Sequence, residues 1–126
     1  MDICWSNYKQ YYSSSNLGFA YNLKNIAEFY NLYNEYMIFW QKTLGEKNLL
    51  NIRYENFIEN FEDEVKKLLN FCDLNWSTKC VEFYKSKNSV STASLAQIRQ
   101  PIYKTSVASW KNYSSFLEDL KNTLKK

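Results

Sequence analysis

A helical pattern that runs from Asn22 to Leu44 limits the folds open to this chain. Apolar side chains recur there every three or four residues, which is the spacing of one helix face; they are Ile26, Phe29, Tyr30, Tyr33, Met37, Trp40 and Leu44. Gly45 follows, where a helix commonly ends. With only 2 Gly and 1 Pro in 126 residues, long helices and few tight turns are expected. We interpret this aromatic face as core packing rather than as a cofactor site.

Further helical patterns lie on both sides of this one. Residues 2–12 carry an aromatic stripe, and residues 110–124 form a final amphipathic segment. Asn60 is a good N-cap for a helix whose first turn is acidic and whose later residues are basic. Ser77 could cap a short helix through Phe83. Residues 13–18 and most of 86–107 have the composition of loops.

Residues 47–56 are the one stretch that has the pattern of a buried strand. Leu49, Leu50 and Ile52 form a short apolar run between two helical patterns, which is typical of an α/β layer. Tyr54 and Glu55 follow at the carboxyl end, where open α/β sheets bind their ligands. The predicted fold is therefore mainly α with a single short core strand or small sheet.

Composition excludes several classes of protein. An apolar fraction of 45% suits a globular domain, and no apolar run reaches the roughly 20 residues of a membrane span. The chain has no histidine, which argues against a metal site and against Ser-His-Asp or Cys-His catalysis. Its 3 cysteines include no CxxC pair and are expected to be reduced thiols. The first residues lack a signal-peptide pattern, so a cytoplasmic location is expected.

Positive charge is concentrated in residues 83–117. This span has no acidic residue and is rich in serine and threonine, and its basic residues are Lys85, Lys87, Arg99, Lys104 and Lys111. Hydroxyls and cations together suit an anionic ligand such as a phosphate. A solvated loop without a ligand is the alternative.

Four segments carry a resemblance to a known family. They are Asp2-Ile3-Cys4-Trp5-Ser6-Asn7-Tyr8, Arg53-Tyr54-Glu55-Asn56-Phe57, residues 92–103 and Trp110-Lys111-Asn112-Tyr113. In this order they resemble the sulfotransferases, in particular the bacterial enzymes often fused to tetratricopeptide repeats and related to tyrosylprotein sulfotransferases. The similarity covers nearly all of the chain. It implies that residues 1–126 form a partial domain, the carboxyl-terminal part of a P-loop-type α/β sulfotransferase fold.

The resemblance implies a nucleotide site. The family transfers a sulfuryl group from 3′-phosphoadenosine 5′-phosphosulfate (PAPS) to a hydroxyl or amine acceptor, which the sequence does not specify. By position, Ser6 would bind the 3′-phosphate and Tyr54 would lie beside the adenine. A loop would close over the nucleotide, and its contact residues would be Ser94, Gln97, Arg99, Tyr103 and Lys104. Trp110 would anchor this loop.

Parts of the family pattern are missing. The arginine expected eight residues before Ser6 would precede Met1, and Ser109 stands where a basic residue is common. No GxxxxGK[ST] run is present to cradle the 5′-phosphosulfate, and no catalytic residue is assigned. The isolated chain is therefore expected to be an inactive carboxyl-terminal fragment and at best a weak binder. Without its partner half-sheet, the strand should expose apolar surface and favour self-association.

Two other functions remain open. The aromatic helix faces could bind a partner helix or peptide without any enzymatic activity. The basic segment at 83–117, with its tyrosines and tryptophan, could bind single-stranded nucleic acid.

Overall fold

Helices form most of the chain in this computed structural model, which describes residues 1–13, 15–86, 99–102 and 107–125. The α-helices in these residues are α1 (Asp2–Lys9), α2 (Leu23–Leu44), α3 (Tyr54–Glu59), α4 (Phe61–Phe71) and α5 (Glu118–Thr123). Segments of 3₁₀ helix lie at Ser15–Tyr21, Thr78–Cys80, Phe83–Lys85 and Ser109–Phe116. The prediction of a mainly helical chain is confirmed.

The predicted strand is not present. Residues 49–53 have no regular secondary structure, and no strand occurs in the described residues. A strand is stable only when its backbone pairs with a neighbouring strand, and no such neighbour exists in the described part of the chain. Leu49, Leu50 and Ile52 are nevertheless half-buried. The apolar run therefore marks a partly buried connection that leads into α3.

The chain divides into two compact units. The first unit contains Met1–Gly45 and Thr105–Lys126, and the second contains Glu46–Lys104. Helices α1, α2 and α5 thus belong to the first unit, and α3 and α4 belong to the second.

The core of the first unit is small and apolar. Both α1 and α5 pack on α2, and the buried side chains of the core are Cys4, Trp5, Ile26, Ala27, Leu117 and Leu120. Trp110 is partly buried against this cluster, and its role as an anchor of the loop stays a prediction. The predicted final helix is divided at Leu117, where the 3₁₀ helix ends and α5 begins.

Helix α2 begins and ends where the sequence predicts. The side chain of Asn22 accepts a hydrogen bond from the backbone N–H of Asn25 at 3.0 Å, which caps the first turn. Gly45 ends the helix with φ of 69°, and its N–H donates to the carbonyl of Gln41 at 3.1 Å. Glycine adopts this positive φ without the steric cost that other residues incur.

The aromatic face of α2 is only partly core. Ile26 is buried, whereas Phe29, Tyr33, Trp40 and Leu44 are exposed, so the core prediction is wrong for these four residues. These residues are exposed because α2 is much longer than the helices that pack on it. The 22 residues of α2 span about 33 Å at about 1.5 Å per residue. The α1 and α5 helices have only 8 and 6 residues and cannot cover all of α2.

The second unit is held by α3 and α4. Ile58 and Val65 are buried, and Phe61 makes edge contacts with Phe57 and Phe83 at ring-centroid distances of 5.1 and 5.8 Å. Asn60 lies at the start of α4, but its side chain makes no capping hydrogen bond. Because the same residue also ends α3, its backbone does not have the extended conformation of an ordinary N-cap residue.

Candidate functional site

Helix α1 presents Ser6 on its exposed side. Cys4 and Trp5 are buried in the core of the first unit, and Ser6 is exposed. Lys9 lies three residues further along, so its side chain and that of Ser6 share one side of the helix. The Lys9 ammonium is 5.3 Å from the centroid of the Trp5 ring. A hydroxyl and an ammonium one turn apart can both donate hydrogen bonds to one phosphate group.

Lys9 was missed in the sequence analysis. The prediction of a phosphate site used the basic residues of the span 83–117, and Lys9 lies outside that span. Its spacing of three residues from Ser6 is the signal that the sequence contains, and the burial of Trp5 in the structure shows which side of α1 faces outward.

Tyr54 is the first residue of α3. Its side chain is 54% exposed, and the exposed Arg53 precedes it as the N-cap residue. The backbone turn is closed by a hydrogen bond from the N–H of Phe57 to the carbonyl of Arg53, at 2.9 Å. A half-exposed phenol ring on a fixed helix start offers a flat apolar face to a ligand.

Arg99 is held beside the 3₁₀ helix Phe83–Lys85. Its guanidinium donates a hydrogen bond to the carbonyl oxygen of Ser86, which follows that helix. A guanidinium has five N–H donors, so this bond is compatible with a phosphate contact. Nearby, Lys85 pairs with Glu82 at 2.5 Å, and this hydrogen bond raises the pKa of Lys85.

The other predicted contact residues lie outside the described residues. They are Ser94, Gln97, Tyr103 and Lys104. Of the three that are described, Ser6 belongs to the first unit, and Tyr54 and Arg99 belong to the second. Their binding to one nucleotide therefore stays a prediction.

Comparison with known proteins gives the family. The model of the sulfotransferase family matches residues 1–78, which is more than half of the chain. The chain belongs to the sulfotransferase family. The matched region contains Ser6, Lys9 and Tyr54 and ends before Arg99.

A relative also matches the chain. An uncharacterized protein of Aquifex aeolicus (strain VF5) is 34% identical over 119 residues, which cover 93% of this chain and 16% of that protein. The chain thus spans about a sixth of the length of that relative. No solved structure significantly matches the present chain.

The Cys4 thiol lies in the core of the first unit. It is fully buried, and burial raises its pKa more than the charge of the N-terminus and a backbone hydrogen bond lower it. A thiol that keeps its proton is a poor nucleophile. All three cysteines are free.

The described residues contain no group of three or more His, Cys, Asp or Glu side chains placed to hold a metal ion. None of the helices in that part of the chain has the length and apolarity to cross a membrane.

Proposed function

We propose that this chain supplies the 3′-phosphate and adenine contacts for the transfer of a sulfuryl group from PAPS to a hydroxyl or amine acceptor. The family match over residues 1–78 carries the proposal, because it includes both Ser6 and Tyr54. Within the family, the sequence motifs favour the bacterial enzymes linked to tetratricopeptide repeats.

Each residue has a distinct role in this proposal. The Ser6 hydroxyl and the Lys9 ammonium bind the 3′-phosphate, and the exposed position of Ser6 supports this role. The ring of Tyr54 flanks the adenine, and Arg99 contributes positive charge to the phosphates. The loop residues Ser94, Gln97, Tyr103 and Lys104 close over the nucleotide, as the resemblance implies.

The proposal assigns the chain to the carboxyl-terminal part of the catalytic domain. Its 126 residues contain no GxxxxGK[ST] run, and sulfuryl transfer, like phosphoryl transfer, relies on positioned cations around the transferred group. We therefore expect the isolated polypeptide to bind the donor nucleotide weakly and not to transfer sulfate. A cytoplasmic location is part of the proposal and is supported by the three free thiols, which are typical of reducing compartments.

Nucleotide binding can be tested on the isolated chain by thermal unfolding. Adenosine 3′,5′-bisphosphate at ten times its dissociation constant should stabilise the fold by about 1.4 kcal/mol, which corresponds to a rise in Tm of about 5 °C. Adenosine 5′-monophosphate should have little effect, because it lacks the 3′-phosphate that Ser6 binds.

Two pairs of variants identify the residues responsible. Ser6→Ala should remove most of the stabilisation, whereas Ser115→Ala, at another exposed serine, should keep it. Tyr54→Leu should weaken binding, whereas Tyr36→Leu should not; these two tyrosines are 54% and 58% exposed. Equal stabilisation by both nucleotides, or an undiminished effect in Ser6→Ala, would contradict the proposal.

A second candidate function is a helical protein-interaction module. The observation that favours it is the exposed aromatic stripe of α2, defined here as Phe29, Tyr33, Tyr36, Trp40 and Leu44. The spacing of four, three, four and four residues places all five side chains on one side of the helix. Exposed apolar surface of this kind commonly marks a contact with another protein.

A further inference from the structure

Three hydrogen-bond donors of the first unit lie near the buried indole ring of Trp5. Two of them, the Ser6 hydroxyl and the Lys9 ammonium, belong to α1. The third is the hydroxyl of Tyr113, in the 3₁₀ helix that precedes α5. Tyr113 also ends the segment at 110–113 that resembles the sulfotransferases. All of these residues are in one compact unit, so their arrangement does not depend on the second unit.

The ring of Trp5 brings Tyr113 and Lys9 close together. The Trp5 and Tyr113 rings are tilted by 32°, with their centroids 4.5 Å apart. The Lys9 ammonium is 5.3 Å from the centroid of the Trp5 ring, so it lies within about 10 Å of the Tyr113 ring. Tyr113 is 48% exposed, and lysine has a flexible stem with rotatable donors. Both groups can therefore reach one phosphate group between them.

The contacts of α1 show which of its sides faces Tyr113. Asn7 lines the groove between α1 and α2, whereas Trp5 packs on Tyr113. These two residues of α1 are on opposite sides of the helix, because consecutive residues are about 100° apart. Lys9 is about 40° from Trp5, and Ser6 is about 60° further round; both are exposed. Lys9 therefore lies between Trp5 and Ser6 on the outer surface of α1.

None of the three donors is used within the described part of the chain. The Ser6 and Tyr113 hydroxyls form no hydrogen bond there, and the Lys9 ammonium forms no ion pair. By contrast, the Lys121 ammonium donates to the carbonyl of Ser114 at 2.6 Å. That bond holds the residue after Tyr113 in place, so the position of Tyr113 is fixed before a ligand binds, which lowers the cost of binding.

Charge favours a phosphate group at the Lys9 end of α1. Asp2 is the acidic residue of this helix. It precedes Lys9 by seven positions, which is about 10 Å along the axis, and it precedes Ser6 by four. A phosphate that binds Ser6 is therefore placed toward Lys9 and away from Asp2. One ammonium and two hydroxyls suit such a group, because hydrogen bonds to charged oxygens are stronger than those to neutral ones.

We infer that Tyr113 is a specificity-determining residue of this sulfotransferase, whose hydroxyl donates a hydrogen bond to the 3′-phosphate held by Ser6 and Lys9. The inference rests on the proposed function, because it takes the 3′-phosphate of the donor nucleotide as the ligand. It adds a contact from beyond residue 78, where the family match ends. The first unit then supplies three donors to this phosphate, from α1 and from the 3₁₀ helix before α5.

The variant Tyr113→Phe tests the hydroxyl alone, because phenylalanine keeps the ring that packs on Trp5. Dissociation constants are measured for the full chain by titrations followed by NMR chemical shifts. Adenosine 3′,5′-bisphosphate should bind about tenfold more weakly to this variant, since one charge-assisted hydrogen bond is lost. The affinity for adenosine 5′-monophosphate, which lacks the 3′-phosphate, should not change. The Tm without nucleotide should equal that of the wild type.

A matched control is Tyr8→Phe. Tyr8 also lies beside Trp5, with ring centroids 6.3 Å apart, and it is 40% exposed against 48% for Tyr113. Tyr8 is two residues from Ser6, which corresponds to about 200° around α1, so it is on the far side of the helix from the phosphate. This variant should bind both nucleotides with the affinity of the wild type.

The outcomes separate the role of Tyr113 from the proposed function. A tenfold loss for the bisphosphate alone in Tyr113→Phe, with Tyr8→Phe unchanged, supports the inference. A loss in Ser6→Ala but not in Tyr113→Phe overturns the inference and leaves the proposed function standing. Equal losses in the two tyrosine variants, or equal losses for the two nucleotides, also overturn it, because the hydroxyl then does not bind the 3′-phosphate. A wild-type chain that binds neither nucleotide, or binds both equally, overturns the inference and the proposed function together.

Discussion

Cys4 makes the stability of the first unit depend on pH. Its pKa is raised by burial from an ordinary value of 9.0, so the folded state holds the thiol proton more tightly than the unfolded state does. The stabilisation is fully present below the ordinary value and is lost as pH rises through the folded pKa. We expect the free energy of unfolding, measured by urea denaturation in reducing buffer, to fall as the pH rises above the ordinary thiol value of 9.0.

The contribution of this thiol is isolated by comparing variants. Cys4→Ala should unfold more easily at neutral pH but should lose less stability across the same pH range than the wild type. Cys72→Ala, at an exposed cysteine, should keep the wild-type pH dependence. A Cys4→Ala profile parallel to that of the wild type would show that other groups cause the loss.

The side chain of Asn31, in α2, forms hydrogen bonds with backbone groups of Thr123 and Lys125. Asn31 is a polar residue that is only 7% exposed. Its Nδ2 donates to the carbonyl of Thr123 and its Oδ1 accepts from the N–H of Lys125, each at 2.9 Å. Asn31→Ala leaves both backbone groups without this partner and should cost about 1–3 kcal/mol of unfolding free energy, measured by urea denaturation. Asn112→Ala, at an exposed asparagine, should change it little. A small effect of Asn31→Ala would mean that water replaces the amide.

The roles of some residues can be predicted from the neighbouring sequence, whereas the roles of others cannot. The roles proposed for Ser6 and Tyr54 depend on short sequence motifs, in which the neighbouring residues indicate the function. Asn31 could not be found in this way, since its partners are 92 and 94 residues away. On the sequence it is one polar residue in a helix, and only the packing of α5 on α2 shows its role.

At the level of elements, local signals were sufficient for helices and insufficient for the strand. Asn22 and Gly45 fix the ends of α2 through interactions with residues three or four positions away, and such interactions are visible in sequence. The run at 49–53 is apolar, but strand formation requires a partner from elsewhere in the chain. Periodicity likewise identified the apolar face of α2 without showing how much of it α1 and α5 would cover.

At the scale of the whole molecule, the stripe of α2 is a large exposed apolar surface in the described part of the chain. The expectation of self-association was based on the strand at 49–53, and the structure moves its basis to this helix. Large aromatic side chains bury about 150–250 Å² each, so the half-exposed stripe offers roughly 400–500 Å² per copy. Two copies would bury about 1,000 Å² in total, which is the lower limit for a specific interface.

We therefore expect weak self-association through this stripe, with a second copy as the partner. None of its five residues carries a charge that would repel an identical surface, and a two-fold dimer would place the same stripe of both copies in contact. In sedimentation equilibrium, the average mass should rise above 15.1 kDa as concentration increases from about 10 µM to about 500 µM.

Trp40→Lys should keep the chain monomeric, because two buried lysines would face each other. Ile38→Lys, at an exposed residue on the opposite side of α2, should associate like the wild type. A monomer at every concentration, or equal effects of the two lysines, would assign the stripe to a different partner.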